Sequence, residues 1–87
     1  MSKFFIEPQL NQGKPLMNIT YLKNHNIWIL QGFPPVSNNL DEYEEITLET
    51  ALSRWPEIND FISLKLEKNI RFQKGINSGT WYDFILE

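Results

Sequence analysis

The stretch Asp41–Phe61, DEYEEITLETALSRWPEINDF, decides how this chain is to be read. A dense acidic run leads straight into helical spacing. Apolar residues fall at Leu48, Ala51, Leu52, Trp55, Ile58, Phe61 and Ile62, three and four apart, and so gather on one side of a helix. Thr47 suits an N-cap, because its hydroxyl can accept from an amide that the helix itself leaves unbonded, and Glu44, Glu45 and Glu49 lie near the positive end of the helix dipole. Pro56 has no amide hydrogen and restricts Trp55, so the pattern predicts one short helix ending near Arg54 and a second starting at Pro56 or Glu57. That second helix is expected to end between Leu64 and Lys68.

Working outward, Lys3–Glu7 (KFFIE) reads as a short strand stopped by Pro8, and the Gly, Asn and two prolines of residues 8–15 read as a loop. In residues 16–23, Met17, Ile19 and Tyr21 alternate with Asn18 and Thr20, as in a half-buried strand. Asn24-His25-Asn26 is turn chemistry, and the apolar run Ile27–Leu30 suits a central strand, so residues 16–31 are expected to form a hairpin. Gly32–Asn39 (GFPPVSNN) cannot continue that strand and makes the longest loop. Residues 70–74 and 80–86 read as two strands joined by the turn GINSG. The expected fold class is α+β: a single small domain over residues 1–87, with a mostly antiparallel sheet of hairpins packed against one broken helical segment.

Eighty-seven residues with 41% hydrophobic and 22% charged content are enough for one core and too apolar for a disordered chain. No cysteine is present, so neither a disulfide nor a thiolate ligand or nucleophile is available. The opening MSKFFIEPQL has too short an apolar run for a signal peptide, and nothing approaches a membrane span, so the expected compartment is the cytoplasm and no membrane is implied.

The net charge of −3 argues against direct nucleic-acid binding, which needs a basic face. Residues 1–40 carry three lysines against Glu7, residues 41–60 seven carboxylates against Arg54, and residues 61–87 four basic groups against three acidic. The local balances are therefore +2, −6 and +1.

Catalytic constellations are missing from the pattern. His25 is the single histidine and stands among asparagines in a turn, where a solvent-exposed role is the plain reading. Asp41, Glu42, Glu44 and Glu45 lack the alternating Asp/Asn spacing and central glycine of a calcium loop, and the four glycines form no phosphate cradle. Neither a metal nor a cofactor is expected, and the chain does not read as an enzyme. Lys65, Lys68, Arg71 and Lys74 recur every three residues, either as a cation row for an anionic partner or as solvated edge positions. Trp28, Trp55 and Trp81 are assigned to the core, with Trp81-Tyr82 the pair placed to be exposed.

The spacing also resembles a family of small bacterial proteins, a domain of unknown function associated with immunity proteins of polymorphic toxin systems. The features that carry it lie in residues 27–72: Trp28 followed by Gly32, Asp41-Glu42-Tyr43, Ile46-x-Leu48-x-Thr50, Pro56-Glu57-Ile58, and a hydrophobic stretch ending at Phe72. Lys68-Asn69-Ile70 stands where that family has a glycine before its later phenylalanine. The resemblance implies an α+β protein that neutralises a partner toxin by occlusion, without catalysis. The acidic segment fits such a role, because it would steer association with a basic protein surface.

The expected function is thus a small non-catalytic inhibitory binding protein of the immunity or antitoxin kind. Its expected contact residues are Asp41, Glu42, Tyr43, Glu44 and Glu45, its partner a protein with a basic surface, and its free state a monomer. Two alternatives remain open: a phage-encoded inhibitor of a host nuclease or defence complex, and a scaffold or regulatory subunit of a larger assembly. Gene neighbours would separate these readings. With no cysteine and one isolated histidine, thermal unfolding is expected to be unchanged by a chelator; a fall of several degrees would reveal a structural metal.

Overall fold

The computed structural model describes residues 2–64 and 66–86. Among these residues, six strands form one sheet: β1 (Lys3–Ile6), β2 (Asn18–Leu22), β3 (Ile27–Gln31), β4 (Glu44–Ile46), β5 (Ile70–Lys74) and β6 (Trp81–Ile85). Two short helices, α1 (Leu48–Arg54) and α2 (Asn59–Ile62), lie between β4 and β5. The strand order is β4-β1-β3-β2-β5-β6, with β1 parallel to β3 and every other neighbouring pair antiparallel. This is the expected α+β architecture, built mainly from hairpins with the helices between them.

Both hairpins form where turn chemistry allows them. Asn26 takes a positive φ of 52° in the β2–β3 turn, and Gly79 takes 68° in the β5–β6 turn, a conformation that glycine adopts without steric cost. The helical segment also starts and breaks as its residues dictate. The Thr50 amide donates to Thr47 Oγ1 at 3.1 Å, which caps α1, and Pro56 opens a separate 3-10 turn, Pro56–Ile58, that runs into α2. α2 stops at Ile62, short of the expected Leu64–Lys68. Ser63 Oγ donates back to the Asn59 carbonyl at 2.7 Å and the Leu64 amide bonds to Phe61, so the last turn tightens and closes.

The interior lies on one face of the sheet. Phe4, Ile6, Ile19, Trp28, Leu30 and Phe72 project from the strands and meet Ala51 and Ile58 from the helical segment, with Leu10 and Leu16 closing one end. Each fully buried side chain of this size contributes about 1.5–3 kcal/mol of transfer free energy. The register puts Phe4 opposite Trp28 and Trp28 opposite Tyr21, so three aromatic rings run across the sheet, with centroids 6.2 and 4.7 Å apart. Phe61 continues that layer against Phe72 and Trp81.

Several positions depart from the expected pattern. Trp28 is core, but Trp55 and Trp81 are half-buried: Trp55 closes the helix break with the Arg54 guanidinium 4.3 Å from its ring. Leu48, expected on the buried stripe, is 42% exposed: it stands in the first turn of α1 and faces an open groove. Asn18 and Thr20 are buried although alternation puts them outward. β2 is an interior strand between β3 and β5, Asn18 Nδ2 donates to the Gly32 carbonyl, and Thr20 is shielded by Ile29 and Arg71 on either side.

One buried charge organises the end of β1. Glu7 is 3% exposed, and its carboxylate accepts from the Gly32 amide at 3.0 Å, the Gln9 amide at 3.0 Å and Gln9 Nε2 at 3.2 Å. It also caps the 3-10 turn Pro8–Gln12, whose Leu10 enters the core and whose Leu10 and Asn11 oxygens accept from Arg54. Replacing Glu7 with alanine strands the Gly32 amide in a buried site and is expected to cost about 2–4 kcal/mol. Chemical denaturation measures this; a loss below about 1 kcal/mol would show that the carboxylate is dispensable.

Candidate functional site

The acidic segment does more than lead into a helix. Asp41 and Glu42 end a 3-10 turn (Leu40–Glu42) that Asn39 caps through its side chain, and Glu44–Ile46 forms the edge strand β4 against β1. Sequence reading missed β4 because glutamate is a poor strand former and three residues show no periodicity. Successive residues of a strand point to opposite faces, so Glu44 and Glu45 diverge: Glu44 stands beside Ile6, and Glu45 beside Phe5.

Between this edge and the first turn of α1 lies an open groove of about 910 Å³. Phe4, Ile46, Leu48 and Ile62 supply apolar wall, while Glu44, Glu45 and Glu49 bring three carboxylates against Lys3. Two of the segment's carboxylates accept from neutral donors: Asn11 Nδ2 donates to Glu44 at 2.8 Å, and Ser37 Oγ donates to Glu42 at 2.6 Å. Their negative charge is oriented by these bonds without being cancelled. A groove with apolar walls and an acidic rim suits a cationic side chain whose aliphatic stem lies along the wall with its charged head at the rim.

The expected contact residues therefore separate. Glu44 and Glu45 line the groove. Asp41 and Glu42 are exposed on the preceding turn, outside its lining. Tyr43 requires a correction: it is buried at 9% exposure, its hydroxyl donates to the Ser37 carbonyl at 2.6 Å and accepts from Gln31 Nε2 at 2.7 Å, and so it staples the loop to the sheet and offers no contact surface. Sequence reasoning passed over Ile46, Leu48 and Glu49 as groove residues; the alternation of apolar Ile46 and Leu48 directly after an acidic run was the signal available for them.

The remaining candidates fall away from this groove. His25 is exposed in the β2–β3 turn. Arg71 and Lys74 stand three apart on β5, so they face opposite sides of the sheet: Arg71 next to Thr20 and Phe84, Lys74 with its ammonium 5.8 Å from the Trp81 ring. The cation row is therefore not a single face; Lys65 lies outside the described residues. Among the described residues there is no group of three or more His, Asp or Glu side chains placed to hold a metal, and no helix is long and apolar enough to cross a membrane. Comparison with protein-family models, with curated proteins and with solved structures finds no match to this chain.

Burial raises the Tyr43 pKa above its ordinary 10.0; Glu7 and Glu42 push it the same way, and the Gln31 hydrogen bond opposes them. The folded state thus holds this proton more tightly than the unfolded chain, so the contribution is complete below the unfolded value and is lost as pH rises through the folded one. Stability is expected to decline above about pH 10, and Tyr43→Phe should remove part of that alkaline slope while costing about 1–2 kcal/mol at neutral pH. Denaturation midpoints across alkaline pH provide the check. An identical slope in the variant would mean that Tyr43 titrates as in the unfolded chain.

Proposed function

We propose that this chain is a small non-catalytic binding protein of the immunity or antitoxin kind, which neutralises a partner protein by covering a basic surface with the acidic groove at the β4 edge. The observation that carries the reading is the pairing of three carboxylates (Glu44, Glu45, Glu49) with an apolar wall (Phe4, Ile46, Leu48, Ile62) in one open groove. Apolar area supplies affinity, and the carboxylates speed encounter and reject acidic partners. Asp41 and Glu42 extend the negative field beyond the groove and act at longer range. An inhibitor that mimics nucleic acid is less well supported, since its carboxylates would have to follow a phosphate backbone and the chain carries only −3 overall. A regulatory subunit would use the same groove and differ in biology, which gene neighbours decide.

Affinity capture from the native host should identify the partner. Glu45→Lys combined with Glu49→Lys is then expected to slow association at least about tenfold at low salt, with the difference shrinking as salt screens the charges. Asp41→Lys with Glu42→Lys should have a smaller effect, because neither residue lines the groove. An unchanged on-rate and affinity for the groove variant, with its fold intact, would rule the groove out.

A further inference from the structure

The two edges of the sheet are unlike. β4 is three residues long, carries two glutamates, and presents the backbone of Glu45 alone outward, because the Phe4–Ile46 and Ile6–Glu44 pairs are the ones bonded to β1. β6 is five residues long. The Leu86 amide bonds to the Asn69 carbonyl at 3.0 Å and the Gly75 amide to the Thr80 carbonyl at 2.8 Å, which fixes the phase of its ladder. Even-numbered residues of β6 bond inward to β5, so the N–H and C=O groups of Trp81, Asp83 and Ile85 point away from the sheet. Tyr82, Phe84, Ile85 and Leu86 are each 41–56% exposed along that edge. Residues 81–86 contain no lysine, arginine or proline, the residues that normally blunt such an edge, and Asp83 is their one charge.

We propose that β6 pairs antiparallel with β6 of a second copy of this chain, about a twofold axis at Phe84, joining the two sheets edge to edge. Asp83 chooses the register. Centring on Asp83 would set two carboxylates directly opposite each other, which is repulsive. Centring on Phe84 places it against the partner's Phe84 in a non-hydrogen-bonded pair, where side chains approach most closely, and sets Tyr82 opposite the partner's Leu86. Asp83 then exchanges both backbone bonds with the partner's Ile85, and Ile85 with the partner's Asp83, which satisfies the outward groups of both residues.

Charge favours the same partner. Five of the carboxylates, those of residues 41–49, belong to the turn, β4 and first turn of α1 at the β4 edge, about 24 Å from β6 across five strand spacings, whereas residues 61–87 carry +1, so self-pairing keeps these five at the far ends of the joined sheet. Head-to-tail pairing of β6 on β4 would instead bring Asp83 against Glu44 and Glu45. The acidic groove stays open in this dimer, so the inference stands independently of the function proposed for that groove. Composition alone carried the expectation of a free monomer; the β6 edge argues for a pair.

Sedimentation equilibrium on the unmodified chain should show a monomer–dimer equilibrium over a roughly hundredfold concentration range, with amide exchange at Asp83 and Ile85 slowing at least about tenfold as dimer forms. Because the chain lacks cysteine, Phe84→Cys should oxidise to a disulfide-linked dimer, whereas Asp83→Cys, offset from its own copy in this register, should cross-link far more slowly. Phe84→Lys should be monomeric with an unchanged circular dichroism spectrum. A monomer at every concentration, faster cross-linking through Asp83→Cys than through Phe84→Cys, or open-ended growth beyond the dimer would each overturn the proposal; the last would identify head-to-tail pairing.

Discussion

The structure depends on a carboxylate held where water does not reach it. Glu7 gives up hydration that is expensive to lose, and three N–H groups from Gln9 and Gly32 replace it. Those donors belong to the turn that follows β1 and to the start of the long loop after β3, so one side chain joins three segments. Tyr43 holds the far end of the same loop through Gln31 and Ser37. With both ends anchored, residues 32–43 must cross back to the outer side of β1, where β4 then forms. The acidic groove exists because of that return path.

What was legible in the amino-acid sequence was local. The hairpins announce themselves through Asn24-His25-Asn26 and through the glycines at 75 and 79, and α1 through Thr47, its apolar spacing and the stop at Pro56. The parallel pairing of β1 with β3 leaves no comparable mark, since it joins residues 3–6 to 27–30 without a turn between them. Glu7 reads as an ordinary charge ending a strand; its burial follows from where Gly32 arrives. The acidic cluster is visible in composition, yet its edge strand follows from pairing with β1, and the burial of Tyr43 follows from its bonds to Gln31 and Ser37 in distant parts of the fold.

Glu44 and Glu45 serve two physical ends at once. Charged, short strands discourage pairing at a sheet edge, and here the same charges form the rim of a groove whose walls are apolar. β6 is longer and carries Asp83 as its one charge, which makes the sheet asymmetric in chemistry as well as in strand length.

The groove walls come from residues 3–4, 44–50 and 62, segments far apart in the chain. Neither hairpin, formed alone, contains any of them. Contacts of such long sequence separation carry a large loop-closure cost, and a chain with only its two hairpins complete still lacks the groove. Anything that binds there recognises the finished fold and is blind to partly folded chains. By mass action, its occupancy stabilises every strand, including those it never touches.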